Sequence, residues 1–353
     1  MANYAAGSTS ALILYKETSY GTASPDDQRA GVRQVFVSES IKLSQQTLDS
    51  ATINSSRERS RPAFGNVTVA GSIATELAPQ TCISLLALAV DPSPGAATLN
   101  TWTFQTGKET PSFTAEIDFG TAMVAGTAGD DPVNRFHRFK GCRISNLNIT
   151  IPSSGFVTAN YDVVGKDGEI GDTGYDPAPY SYSNFTPFTA YDCDLFYGTS
   201  GSTNPTTLIK IAESASISLT NTLDESIYSI ASGGLRADLP VGFQTVTGQI
   251  SLLLDNTEAP AFLEKINTKT AISLRFRLKR GTANGTEGNE QITLLMPRVL
   301  LERTSPEIQG PGGVKFSAAF KAFVDTPDTQ SALTITVNTP KASSITTPWL
   351  ATP

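Results

Sequence analysis

Between Val67 and Leu77 the chain alternates, with Val69 and Ile73 on one side and Thr68, Ser72 and Glu76 on the other. A period of two predicts a strand with one buried and one wet face, as in an antiparallel sheet. The pattern returns between Gln244 and Leu254, where Val246 and Ile250 alternate with Thr245, Thr247 and Gln249. The glycines repeat as well. Gly65, Val69, Gly71 and Ile73 fall on Gly242, Val246, Gly248 and Ile250, a shift of 177 positions (Gly65 to Gly242). Tyr20-Gly21-Thr22 falls on Tyr197-Gly198-Thr199 at the same shift. A shared offset over that distance predicts two copies of one fold in tandem.

Each copy reads as strand, long loop, strand, short helix and then three or four strands. In the first, Gln34 to Leu48 is a long strand, Leu48 to Ala63 a polar loop, and Pro79 to Val90 a helix with proline near its start. Strands follow over Thr101 to Gln105, Ser112 to Phe119, Arg143 to Ile151 and Phe156 to Val164. Gly165 to Asn184, rich in Asp and Pro and without periodicity, reads as the linker. In the second copy the strand Ile209 to Thr220 leads through Asn221 to Val241 into the paired strand and a helix near Pro260. Strands over Ala271 to Lys279, Ile292 to Leu301, Val314 to Val324 and Leu333 to Val337 complete the set. The expected fold is mainly β: tandem sandwich or barrel domains over 1–180 and 187–340, each with one flanking helix, then an extended tail over 341–353.

The 353 residues suffice for two such cores. A net charge of -7 argues against a groove built to grip phosphates, which needs clustered Lys and Arg. Cys82, Cys142 and Cys193 lie far apart without metal-ligand spacing, as expected of reduced thiols made in a cytoplasm. The apolar run Ala11 to Tyr15 is too short for a signal peptide or a membrane span.

An N-terminal segment like Lys16-Glu17-Thr18-Ser19-Tyr20-Gly21-Thr22 resembles the opening of tail tube proteins of long-tailed bacteriophages. So does the Ser38-Glu39-Ser40 strand followed by a long loop and a Gly-x-x-x-Val-x-Gly-x-Ile strand that leads into a helix. The resemblance implies a virion tail component, made in the host cytoplasm, whose strands complete a barrel around a channel when subunits form rings. Rings stack into a tube through which DNA passes without specific binding, and other tail proteins meet the tube ends. Most members are single-domain and sixfold; a duplicated chain resembles the minority that forms threefold, pseudo-sixfold rings. By parity the channel wall then includes Ser44, Thr68, Ser72 and Glu76 in the first copy, and Ser218, Thr220, Thr245, Thr247 and Gln249 in the second. Lys42 shares the first-copy parity, and Glu76 has Leu253 as its repeat partner. A sandwich whose outer face is merely solvated shows the same alternation.

The loop carrying Arg57, Glu58, Arg59 and Arg61 reads either as a solvated mixed-charge loop or as an arm that touches the next ring, with Arg236 and Asp238 in the matching loop. The tail with Trp349 is either a latch on a neighbour or a disordered terminus. No catalytic signature is present: His137 lies between basic neighbours with no nucleophile motif, and Gly107-Lys108 lacks the earlier glycine of a phosphate loop. Neither an enzyme nor a metal or cofactor is expected. A glycan-processing enzyme needs a carboxylate pair in a cleft. The rival class is a tandem β-sandwich adhesin or decoration protein, suggested by the aromatic cluster Tyr180, Tyr182 and Phe185.

Overall fold

The computed structural model describes residues 7–22, 31–52, 58–59, 61–91, 101–120, 134–182, 185–283, 285–308, 310, 312–325 and 331–339. The fold is mainly β, and alternation of apolar and polar side chains sets which face of each strand is buried. The first half contains β1 (Ala11–Lys16), β2 (Val32–Gln34), β3 (Ser38–Glu39), β4 (Lys42–Leu48), β5 (Ala63–Glu76), α1 (Cys82–Ala89), β6 (Thr101–Gln105), β7 (Phe113–Asp118), β8 (Phe136–Ile151), β9 (Thr158–Gly165), β10 (Asp167–Gly171) and β11 (Tyr180–Ser181). The second contains β12 (Cys193–Thr199), β13 (Thr207–Leu208), β14 (Ala212–Leu223), β15 (Val241–Leu253), α2 (Ala259–Thr268), β16 (Ile272–Lys279), β17 (Gln291–Leu301), β18 (Lys315–Ala322) and β19 (Thr334–Asn338). Among the described residues no helix is long and apolar enough to cross a membrane.

Most pairings of the first half have a counterpart in the second, although the parallel pairing of β11 with β2 has none. In the first half a back sheet runs β11-β2-β1-β7-β8-β10, and a front sheet runs β4-β5-β9-β8. In the second half β13-β12-β16-β17-β19 forms the back and β14-β15-β18-β17 the front. The long strands β8 and β17 serve both sheets, with their first parts in the back and their last residues in the front. Apolar residues from the two sheets and one helix face fill the space between them, with Phe104, Phe113, Tyr161, Phe276 and Phe320 fully buried.

Two pairings cross between the halves. β14 lies antiparallel against the end of β8, and β6 of the first half adds to β19 of the second. One sheet is therefore continuous through both halves. Helix α1 sits behind this joint and all eight of its residues are buried, which explains why it is apolar all round. Its counterpart α2 buries only Ala259, Phe262 and Ile266.

Several sequence expectations change. The strand expected over Gln34 to Leu48 breaks into β2, β3 and β4, because the chain crosses from the back sheet to the front one at Val35–Val37. The stretch expected as a linker from Gly165 is instead part of the first half. β10 pairs with β8, the carboxylate of Asp176 accepts from the Gly31 amide at 2.9 Å, and β11 pairs with β2. Under it lies a buried ionic cluster in which Arg138 donates to Glu116 at 2.6 Å, and the Tyr15 hydroxyl donates to the same carboxylate at 2.9 Å. Burial comes first among the causes that push the Tyr15 phenol far above its usual range, with the Glu116 charge adding to it.

The two Tyr-Gly-Thr triplets are not equivalent. Tyr20-Gly21-Thr22 forms a turn beyond the end of β1, while Tyr197-Gly198-Thr199 closes strand β12. The first triplet belongs to a corner built on Glu17. Its buried carboxylate accepts from the amides of Gly21 and Gly141 and from the Thr114 hydroxyl, all at 2.8 Å.

Candidate functional site

The two glycine-marked hairpins share one register. Leu43 faces Val69 as Leu219 faces Val246, Ser44 faces Thr68 as Thr220 faces Thr245, and Glu39 faces Ile73 as Ala215 faces Ile250. The glycines have one cause in both copies. A Cβ on Gly71 would stand 2.5 Å from the Ile41 backbone, and one on Gly248 would collide with the Ser216 carbonyl oxygen and the Phe320 ring. Only glycine lets the partner strand lie that close.

Register then carries polar side chains across the whole front sheet, because residues opposite one another share a face. One row reads Ser72, Asp162, Asn146, Thr220 and Thr245; the next reads Ala74, Asn160, Asn148, Ser218, Thr247 and Lys321. A third reads Glu76, Thr158, Thr150, Ser216 and Gln249. All nine residues expected along a wall (Ser44, Thr68, Ser72, Glu76, Ser218, Thr220, Thr245, Thr247 and Gln249) lie on this one face.

The face is knitted by its own side chains. Asn146 and Asn160 donate to the two oxygens of Asp162 at 3.2 and 3.1 Å, and the hydroxyls of Ser218 and Thr220 donate to the Asn146 oxygen at 2.9 and 3.2 Å. The chain of bonds passes from β9 through β8 into β14, so it spans the joint between the halves. Its charges are few and mixed: Asp162 and Glu76 stand with Lys42 and Lys321, while Lys315 pairs with Glu213 at 2.5 Å. Such a surface has no cluster of cations able to hold phosphates. Among the described residues no three His, Cys, Asp or Glu converge as metal ligands.

Sequence reading missed Asn146, Asn148, Asn160 and Asp162 in this face. Their signal was present, since Asn146, Asn148 and Thr150 alternate with Leu147, Ile149 and Ile151. It also missed Asn221 at the joint. This buried amide donates to the Ala89 carbonyl at the end of α1 and to the Ile144 carbonyl of β8, both at 2.9 Å, and accepts from Gln244 at 2.8 Å.

The charged loops diverge. Arg57 lies outside the described residues, while Glu58, Arg59 and Arg61 are exposed and Arg59 pairs with Asp49 at 2.6 Å. Arg236 does not face outward. It is 4% exposed and donates to the Gly165 carbonyl and to the Glu225 carboxylate, both at 2.8 Å. With Val67 donating to the Gly234 carbonyl at 2.8 Å, its loop clasps the front sheet of the first half. Asp238 is exposed but turns back to cap the Leu239 amide.

The aromatic cluster behind the rival reading does not form an exposed platform. Tyr180 and Tyr182 meet edge to face at 5.3 Å, and the Tyr182 hydroxyl lies 3.3 Å from that of Ser84 in α1. Phe185 alone of the three is exposed. His137 meets Phe119 edge-on at 4.8 Å, and burial lowers its pKa from the usual imidazole range. The expected tail over 341–353 lies outside the described residues.

A family model described as phage tail tube protein matches residues 7–322 of the chain. No curated protein matches it.

Proposed function

Because this chain belongs to the phage tail tube protein family, we propose that it forms closed rings of three copies which stack into a conduit for DNA, with the polar front sheet as the inner wall. It is a structural component of the virion tail. The observation that carries the reading is the single polar face built from strands of both halves and open at both ends. β4 is exposed along its entire length, and past Leu301 the Glu302 amide bonds to the Ala319 carbonyl of β18 but residues 302–308 form no strand. Open edges of this kind are a hazard in a free chain and a means of closure in a ring.

The width of the sheet supports three copies over two or six. Each chain spans β4, β5, β9, β8, β14, β15 and β18, and the segment after β17 supplies an eighth position. Three copies give about 24 strands, which at a spacing of about 4.8 Å close at a diameter of about 37 Å, more with tilt. Side chains take about 5 Å from each wall, leaving a bore that passes a duplex. Two copies would leave about 15 Å, too narrow, and six more than about 60 Å. A wall of Ser, Thr and Asn lets the duplex slide, since every phosphate neutralised by a fixed cation would add to salt-dependent retention. Glu58, Arg59 and Arg61, with Arg57 and Asp238, are proposed to meet the adjacent ring. Neither the wall nor this contact needs catalysis or a cofactor.

Negative-stain microscopy of the concentrated protein, with native mass spectrometry on the same sample, tests the proposal. Hollow tubes or rings of three chains are expected. Compact dimers without rings at any concentration would overturn it, and rings of six would overturn the stoichiometry.

A further inference from the structure

The chain contains, in the contact between its halves, a template for the contact between its copies. We propose that rings close when Ile41–Ser44 of one copy pairs antiparallel with residues 302–305 of a second copy, and that Lys42 is held there by Glu302. The inference rests on the ring reading and goes beyond it by naming the two edges, their register and the ion pair.

The template is β14 on β8. There Thr220 faces Asn146, Leu219 faces Leu147 and Ser218 faces Asn148. β4 is the counterpart of β14, with Ser44, Leu43 and Lys42 in the places of Thr220, Leu219 and Ser218. The counterpart of the end of β8 follows from its neighbour. Gly71 faces Val163 as Gly248 faces Phe320, and Ser72 faces Asp162 as Gln249 faces Ala319. Val163 and Asp162 in turn face Ile144 and Asn146, while Phe320 faces Leu301 and the Ala319 carbonyl accepts from the Glu302 amide at 2.8 Å. Ser145 bulges out of the first-half ladder, and matching through the bond to Ala319 places Glu302, without such a bulge, where Asn146 stands. Transferring the register sets Ser44 opposite Glu302, Leu43 opposite Arg303 and Lys42 opposite Thr304.

Three observations mark these edges as incomplete in a single chain. Leu219 is 1% exposed inside the template, whereas Leu43, at the same position of the first hairpin, is 41% exposed. Among the described residues, 302–308 form no strand and make no backbone pairing beyond the Glu302 amide, and Thr304, Ser305 and Glu307 line a groove of about 700 Å³ together with the start of β18. Finally, Lys42 and Glu302 are both exposed, and the transferred register makes them diagonal neighbours on the polar face, within reach of long side chains. A lysine that would otherwise catch phosphates in the bore is thereby neutralised. Pro306 has no amide to give a ladder, so the pairing ends after Ser305.

Cysteine pairs read the register directly. In a Cys193→Ser background, Lys42→Cys with Thr304→Cys should oxidise between chains in assembled tubes, giving covalent dimers and trimers on a non-reducing gel. Leu43→Cys with Thr304→Cys, one residue out of step, should remain monomeric. Ser218→Cys with Asn148→Cys, the template pair, should close within one chain and calibrates the oxidation. As a second measurement, Lys42→Glu should cut tube yield at least tenfold and Lys42→Glu with Glu302→Lys should restore it. Tubes that form while the calibrating pair closes but the Lys42/Thr304 pair does not would overturn this joint and leave the ring reading standing. Rings absent from the parent protein under the same conditions would overturn both.

Discussion

Replacing Gly71 or Gly248 by alanine tests the physical account of the repeated motif. Neither glycine has a positive φ, so alanine is allowed by the backbone and fails only through contact. At Gly71 the added carbon would stand 2.5 Å from Ile41 N, Ile41 Cα and Ser40 C, all main-chain atoms that cannot rotate away. Carbon atoms rest at about 3.5–4.0 Å, so the two strands must part by about 1 Å. Overpacking of this kind costs about 1–3 kcal/mol, and at a backbone the upper end applies. Against it, alanine restricts the unfolded chain and contributes about 0.4–1 kcal/mol of stability. A net loss near 2 kcal/mol remains, or a fall in Tm of about 4–8 °C for domains of this size. Gly65 supplies the control: its nearest neighbours would be Leu48 Cγ at 3.3 Å and the Gln46 carbonyl at 3.4 Å, so Gly65→Ala should be neutral within about 0.5 kcal/mol. Gly242, 3.1 Å from the Thr222 carbonyl, should fall between them. Thermal unfolding followed by circular dichroism ranks the four. If Gly71→Ala and Gly248→Ala were as stable as Gly65→Ala, close strand approach would not be the reason for the motif.

Asn221→Ala removes two donors from buried carbonyls at the joint, a loss of about 2–4 kcal/mol. Hydrogen exchange should quicken in β8 and β14 while β5 and β9 keep their protection; uniform quickening would show that Asn221 supports the whole fold. At Asp118 burial alone would raise the pKa, but the Arg135 hydrogen bonds and charge and the Gly120 amide outweigh it and hold it low. At Glu169 burial is outweighed in the same way by bonds from Lys140 and Tyr175 and by the charges of Lys140 and Arg138. A carboxylate with a lowered folded pKa stabilises the fold above the ordinary carboxylate range, and that stability is lost as pH falls through the folded pKa. Tm should therefore fall from pH 5 toward pH 3, and Arg135→Met should flatten that slope; an unchanged slope would remove Asp118 from the account. Charge reversal at Arg59 and Arg61 should shorten tubes in electron micrographs while leaving rings intact, and unchanged length would count against the proposed inter-ring arm.

The hairpins were legible in the sequence because their parity is unbroken from Val67 to Glu76 and from Gln244 to Ser251, inside the irregularities near their ends, and their glycines answer a local steric demand. The end of β8 was harder to read for a geometric reason. Between Ile144 and Asn146 the ladder with β9 slips by one residue, and a one-residue slip turns every later side chain to the other face. The polar Asn146, Asn148 and Thr150 thus follow a different parity from the first part of the strand. Gly165 to Asn184 misled because acidic residues and prolines usually mark a solvated connection. Here Glu169 and Asp176 have partners inside the fold, on Lys140 and on the Gly31 amide. Tyr-Gly-Thr at a matching offset was coincidence, since three common residues carry no information about whether they end a strand or make a turn.

Where the two copies of the motif differ chemically, the difference follows the position of the joint. Leu219 in the template meets Leu147, but the transferred register gives Leu43 an arginine, Arg303. Ala87 and Leu88 are buried in α1, whereas the matching residues of α2 are Glu264 and Lys265. An apolar joint suits surfaces that are never apart, because a covalently linked half has no free state in which to aggregate. A polar, ion-paired joint suits surfaces exposed until assembly, where a bare apolar edge would recruit strands at random. On the proposed ring, alternate joints should therefore differ in strength although their backbone register is the same. High salt should weaken the joint between copies through Lys42 and Glu302 and spare the one within, so that a dissociating ring releases whole chains with both halves still paired.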